Sequence, residues 1–144
     1  MNGIRLTERE MQCIALFESF TGVTVKDCIL DDRLNRIIFV VKEGQAGLAI
    51  GKRGINVKRL KGLLRKDLEI VEYASTPEEL ARKCLFPARV LSVRISTLAN
   101  NKKVAIIQVP PSDKGLAVGK GGRNVSRLRL LMKRYFDIDK VTLI

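Results

Sequence analysis

A chain of 144 residues, 46% of them apolar, has room for one ordinary domain or two small ones with thin cores, and is too apolar to stay disordered. Its 27 Lys and Arg against 15 Asp and Glu give a net charge of +12, which points to a polyanion as partner, nucleic acid ahead of an anionic membrane surface. There is no histidine, hence no imidazole base, triad or metal ligand; no apolar run approaches the ~18 residues that span a bilayer; and Cys13, Cys28 and Cys84, odd in number and widely spaced, suit neither a disulfide framework nor a zinc site.

The opening MNGIRLTEREMQ turns charged at once, unlike a secretory leader, so a cytoplasmic, reducing setting is expected. Thr7-Glu8-Arg9-Glu10 reads as a capping box and predicts an amphipathic helix to about Phe20, stopped by Gly22. A strand follows from Val23 to about Leu30, then a turn over Asp31–Asn35 and a second strand from Arg36 to Lys42. A short helix, a glycine segment, a longer helix to about Asp67 and a last strand from Ile70 to Tyr73 complete the first half. In the second half Thr76-Pro77-Glu78-Glu79 starts a helix with Pro77 at its first position and Glu79 closing a capping box, and Pro87 stops it. Strands near Ala88–Leu98 and Lys102–Val109 flank an Asn100-Asn101 turn. Pro110-Pro111 breaks the chain, and Ser112 or Asp113 is placed to cap the next short helix.

The halves are a duplication. GLAIGKRGINVKRL from Gly47 returns as GLAVGKGGRNVSRL from Gly115, at an offset of 68 residues. Over the 24 positions from Gly47 to Ile70 twelve residues are identical, Ile70 matching Ile138 at the start of the outgoing strands. Helix, strand, strand, helix, helix, strand, twice over, predicts an α+β protein of two units, residues 1–75 and 76–144. Each crossover implies a parallel strand pair and each hairpin an antiparallel one, so each sheet is small and mixed. The junction Tyr73–Thr76 has no Gly/Ser spacer, which predicts two units packed in a fixed orientation.

In the helix after the glycines, Val57, Leu60, Leu64 and Leu68 form a core-facing stripe, as do Val125, Leu128, Met132 and Phe136 in the second copy. The remaining faces are basic: seven Lys or Arg and no acid from Gly47 to Lys66, and again from Lys114 to Arg134. A solvated helix face normally mixes signs, because opposite charges one turn apart stabilise it, so the bias points to phosphate. Gly51-Lys52-Arg53-Gly54 and Gly119-Lys120-Gly121-Gly122 sit just before a helix, where a backbone without Cβ and free N–H groups favours an anion. Gly47 stands one residue too close to Gly51-Lys52 for a Walker loop, Arg53 or Gly121 stands where its hydroxyl belongs, and no strand precedes the loop as a dinucleotide fold requires. The remaining ligand is a polynucleotide backbone held by a GxxG loop.

IGKRGINV and VGKGGRNV resemble the GxxG signature of KH domains of the bacterial (type II) topology, and nearly the whole chain, from LTEREMQCIALFESFTGV to Asp137-Ile138-Asp139-Lys140, resembles the archaeal NusA-like family of two KH domains. The resemblance implies single-stranded RNA binding, about four nucleotides per domain, in transcription termination or elongation. With no histidine and no compact carboxylate cluster beside the motif, no enzyme activity, metal or cofactor is expected. By the same resemblance Gly51, Lys52, Arg53 and Gly54, with Gly119, Lys120, Gly121 and Gly122, would clamp the sugar-phosphate backbone. Ile50, Val57, Val118 and Val125 would lie under the bases, with Asn56, Lys58, Arg59, Arg123, Asn124 and Arg127 around the groove. The expected partners are single-stranded RNA and, through the family, RNA polymerase or a transcription complex, bound by a monomer away from membranes; the resemblance does not reach the polymerase-binding and S1 domains of bacterial NusA. A ribosome-associated or RNA-processing KH protein fits the same residues, as does an adaptor that docks proteins through the acidic helix face of Glu8, Glu10 and Glu18. The first half carries 13 basic and 10 acidic residues and the second 14 and 5, so a weaker hold on RNA is expected of the first.

Overall fold

The computed structural model describes residues 5–144; the first four residues of the segment read against a secretory leader lie outside the described residues. The chain divides into two compact units, Arg5–Tyr73 and Ala74–Ile144.

In the first unit α1 spans Glu8–Thr21. Thr7 Oγ1 accepts from the Glu10 N–H while the Glu10 carboxylate accepts from the Thr7 N–H, a complete capping box, and Gly22 ends the helix at φ 70°. The hairpin β1 (Val25–Asp31) and β2 (Arg36–Val41) is antiparallel, and β3 (Asp67–Glu72) returns parallel to β2, giving the order β1-β2-β3. Between β2 and β3 lie α2 (Ala46–Ile50), the glycine loop and α3 (Ile55–Leu64). Alternation along β2 sends Ile37, Phe39 and Val41 into a core with Phe17, Cys28, Ala49 and Leu60, where the Phe17 and Phe39 rings stack with centroids 4.2 Å apart. The other residues of β2 are buried as well. Among them Arg36, fully buried, donates to Asp31 (2.7 Å) and Glu69 (2.9 Å), so its charge is met on both sides.

The second unit repeats the order: α4 (Pro77–Leu85), β4 (Ser92–Thr97), β5 (Lys103–Gln108), α5 (Lys114–Val118), the second glycine loop, α6 (Arg123–Phe136) and β6 (Lys140–Leu143). β4 pairs antiparallel and β6 parallel to β5. Leu80, Cys84, Ile107, Leu128, Leu131 and Met132 are fully or almost fully buried. The fold is therefore α+β with two small mixed three-stranded sheets, as the duplicated grammar implies.

Three local expectations are corrected. First, α3 stops at Leu64 rather than near Asp67: Gly62 weakens its last turn, Arg65 takes the left-handed conformation (φ 55°), and Leu68 is a strand residue opposite Ile37 instead of a member of the helical stripe. α6 carries Leu130 where α3 has Gly62 and continues to Phe136, so β6 starts at Lys140 and Ile138 precedes it. Leu143 faces Ile107 as Ile70 faces Phe39, so the match of Ile70 to Ile138 fails; the sequence offset of 68 becomes 73 across the crossover. Second, Glu79 reaches the Ser75 N–H (3.4 Å), while Thr76 Oγ1 alone accepts from the Glu79 N–H (3.2 Å). Third, Asp113 stands at the N-cap of α5 without capping it; its carboxylate is taken by Arg89.

Candidate nucleic-acid interface

The two glycine loops have one backbone. Gly51 and Gly119 lie at φ/ψ 79/171° and 78/166°, Arg53 and Gly121 at 55/26° and 64/22°, Gly54 and Gly122 at 71/23° and 75/15°. Two successive left-handed residues turn the chain, closed by Gly54 N–H donating to the Gly51 carbonyl (3.1 Å) and Gly122 N–H to that of Gly119 (3.0 Å). Arg53 adopts a conformation that costs an L-residue roughly 1–2 kcal/mol, where the second copy has glycine.

Asn56 and Asn124, expected at the groove, turn back on the loop. Asn56 Nδ2 donates to the Leu48 carbonyl (3.4 Å) and Asn124 Nδ2 to that of Leu116 (2.9 Å). A Cβ on Gly51 or Gly119 would lie 2.8 Å from the asparagine side chain, so these glycines are required by close packing as well as by φ. The asparagines thus brace the loop, a role that residue type and spacing alone did not separate from ligand contact.

Gly54 and Gly122 are the N-caps of α3 and α6, neither helix has a side-chain cap bond, and neither has an acid in its first turn. The free N–H groups expected there are not found at the start of either helix: those of Gly54 and Ile55, and of Gly122 and Arg123, donate to carbonyls of the loop, so the positive helix end with Lys52 or Lys120 is what favours an anion. Beside the first loop lies an open groove of about 330 Å³ lined by Ile50, Gly54, Val57, Lys58, Leu68 and Ile70. Ile50 and Val118 are exposed, Val57 is half-buried and Val125 is buried, so the structure brings Ile50 and Val57 to one groove, while Val125 belongs to the second core.

The basic residues sort by whether they are already engaged. Lys61 pairs with Asp67 (2.9 Å) and Lys66 with Asp32 (3.3 Å). Lys52, Arg53, Lys58 and Arg59 are exposed and have no ion pair among the described residues. In the second unit Arg127, the counterpart of Arg59, donates to the Cys84 carbonyl (2.7 Å) and to Asn124 Oδ1 (3.2 Å), which ties α6 to α4. Lys133 is held by Asp137 and Asp139 at 2.8 Å each, and these carboxylates push its pKa up. Arg123 and Arg134 also have partners. Gly121 and Ser126 stand where Arg53 and Lys58 stand. Lys120 is the cation left exposed on the second loop itself.

Of the acidic face proposed for an adaptor, Glu10 is held in the capping box and Glu18 accepts from the Val25 N–H (2.9 Å). Among the described residues no helix is long and apolar enough to cross a membrane.

A helix–hairpin–two-helix–strand unit with a GxxG turn between its paired helices is a KH domain, and here it occurs twice. The profile of the KH domain matches residues 13–75, and that of the NusA-like second KH domain matches residues 77–143. The chain is 39% identical over 97% of its length, and 98% of the relative's, to the probable transcription termination protein NusA of Halobacterium salinarum; it is 33% identical over its full length, and 77% of the relative's, to the protein of that description from Methanocaldococcus jannaschii. It superposes on the crystal structure of APE1850 with a TM-score of 0.89 and 40% identity, covering 96% of this chain and all of that one. The chain belongs to the NusA-like family of tandem KH-domain proteins.

Proposed function

We propose that this protein binds single-stranded RNA through its two KH domains, residues 1–75 and 76–144, and acts on transcripts in termination or elongation. The observation that carries the reading is the pair of GxxG loops with one backbone, each opening a helix with no side-chain cap, beside cations with no partner of their own. Such a loop lets a phosphodiester approach closely because Gly51 and Gly54, or Gly119 and Gly122, carry no Cβ, and the positive end of the helix that follows favours its charge. Lys52 and Lys120 supply charge, while Ile50, Val57, Leu68 and Ile70 offer the first domain's bases an apolar floor. A KH groove of this kind takes about four nucleotides. The scarcity of aromatic rings, five Phe and two Tyr, suits a groove that holds bases by aliphatic contact. The transcription role follows the relatives named as probable transcription termination proteins.

Parallel titration of single-stranded RNA, duplex RNA and single-stranded DNA tests the reading. Preference for single-stranded RNA, weakening with salt, is expected; equal affinity for all three reduces the interaction to charge alone and contradicts the groove. Crosslinking in cells separates the roles: nascent transcripts support termination or elongation, and ribosomal RNA contradicts it.

A further inference from the structure

The two hairpins differ in charge and in cover. β1, β2 and their turn mix signs, with Lys26, Asp27, Asp31, Asp32, Arg33 and Arg36. β4, β5 and their turn carry Arg94, Lys102 and Lys103, and no Asp or Glu stands anywhere in residues 80–112. Asp139, which accepts from the Lys103 N–H (2.9 Å), is already held by Lys133. Arg94 is exposed and has no ion pair among the described residues. Apolar exposure follows the same contrast. No large hydrophobic side chain is exposed in residues 22–47, whereas Phe86, Leu91, Ile95 and Leu98 are. Helix length accounts for it: α1 has 14 residues and α4 only 9, so α4 leaves part of the helix side of β4 open. On that side Val93 pairs with Ile107 and Ile95 with Ala105, both partners fully buried, yet Ile95 itself is 41% exposed. Leu30, its counterpart opposite Ile37, is half-buried. Arg94, between Val93 and Ile95, stands on the other face of the sheet. β4 is also an edge, since the sheet order is β4-β5-β6 and no strand lies beyond it among the described residues.

We propose that the β4 edge is a docking site for an extended peptide that alternates acidic and branched apolar residues and adds to the sheet as a fourth strand. The edge supplies main-chain donors and acceptors to the incoming strand. Because successive side chains point to opposite faces, such a peptide lays its apolar residues beside Val93 and Ile95 and its carboxylates beside Arg94. Leu91 and Leu98, at the two ends of β4, add exposed apolar surface. Charge and pattern decide between occupants. A second copy of this chain sets Arg94 against a surface of its own sign. A nucleic acid strand has phosphates for Arg94 but no main chain to pair with an open strand edge. The site uses the edge opposite β6, the counterpart of the strand that lines the first groove, so it stands apart from the RNA reading.

The test uses the full chain and a labelled synthetic peptide of about eight residues, a usual strand length, that alternates glutamate and valine; a lysine–valine peptide of the same pattern is the control. By fluorescence anisotropy the acidic peptide is expected to bind and the basic one not. Arg94→Glu changes an exposed side chain and leaves the fold intact. It weakens the acidic peptide about tenfold, because an exposed charge pair is lost and a like-charge pair of similar size replaces it, and it admits the basic peptide. Hydrogen exchange reads the backbone: with the acidic peptide the amides of β4 gain protection and those of β1 do not. Equal binding of the two peptides, or no gain of protection in β4, overturns the proposal. So does an oligouridylate that shifts the β4 amides and binds Arg94→Glu more weakly, which assigns the surface to nucleic acid. A free chain that sediments as a dimer with β4 already protected overturns it as well, because the edge then belongs to a second copy.

Discussion

The two KH domains share a backbone at the loop and differ in what surrounds it. By total charge the second domain is the stronger candidate for RNA, with 14 basic and 5 acidic residues against 13 and 10. Around the loop the order reverses. The first domain leaves Lys52, Arg53, Lys58 and Arg59 without ion pairs among the described residues, while in the second Lys114, Lys120 and Arg129 stand so, Arg127 braces α6 and Lys133 holds two aspartates. Net charge measures long-range attraction; local binding depends on cations that no internal acceptor already occupies. In the RNA-binding reading proposed above, the first domain would then be the main clamp, and the second a better-braced unit that contributes less.

The largest contrast lies in the sheets. Arg36 is fully buried between Asp31 and Glu69, and Val104 stands at its place in β5. Removing one member of a buried ion group strands the others, so Arg36→Ala is expected to cost about 3–5 kcal/mol in denaturant unfolding, well above the cost of Val104→Ala. The loops come next. Lys52→Asp with Arg53→Asp should weaken single-stranded RNA binding at least about tenfold, since one charge-assisted contact is worth roughly 1.5–3 kcal/mol. Lys120→Asp with Gly121→Asp should weaken it less, as fluorescence anisotropy will show. Asn124→Ala should lower stability by about 1 kcal/mol through the lost bond to Leu116, and Asn56→Ala by less, because its bond is 3.4 Å against 2.9 Å.

The smallest effect is a difference in acid response. Gln45 and Asp113 precede α2 and α5 and do the same work, accepting from the N–H of Thr24 (2.8 Å) and of Arg89 (2.9 Å). Gln45 is neutral at every pH, whereas the Arg89 side chain and N–H hold the Asp113 pKa at about 2, below its ordinary 3.8. A carboxylate with a lowered folded pKa stabilises above the unfolded value and loses that contribution as pH falls from about 4 to 2. Unfolding followed by circular dichroism should therefore lose stability over that window in wild type, and less in Asp113→Asn.

Much of this was legible because the signals are local. Thr7 with Glu10, Gly22, Pro87 and the two GxxG turns each act within a few residues, and the crossover between β-branched runs implies the parallel pair. What escaped depends on tertiary context. Arg36 reads as a polar residue at the edge of an apolar strand, and nothing local reveals that Asp31 and Glu69 flank it. Leu68 keeps the helical spacing that its chain leaves after Leu64, because helix termination at Arg65 is decided by a backbone turn rather than by an apolar pattern. Arg59 and Arg127 are identical in the repeat, yet one is exposed and the other reaches the Cys84 carbonyl, a distinction set by the helix packed alongside.

The central claim, that unengaged cations at the loop rather than domain charge decide where RNA is held, is tested most directly by exchanging them. Single-stranded RNA affinity is measured against salt for wild type, for Arg53→Gly with Lys58→Ser, and for Gly121→Arg with Ser126→Lys. Each phosphate contact contributes about 0.7 to the slope of log affinity against log salt for a single strand, so the first variant should lose about 1.4 of slope and bind more weakly, and the second should gain as much and bind more tightly. Slopes unchanged in both variants would contradict it.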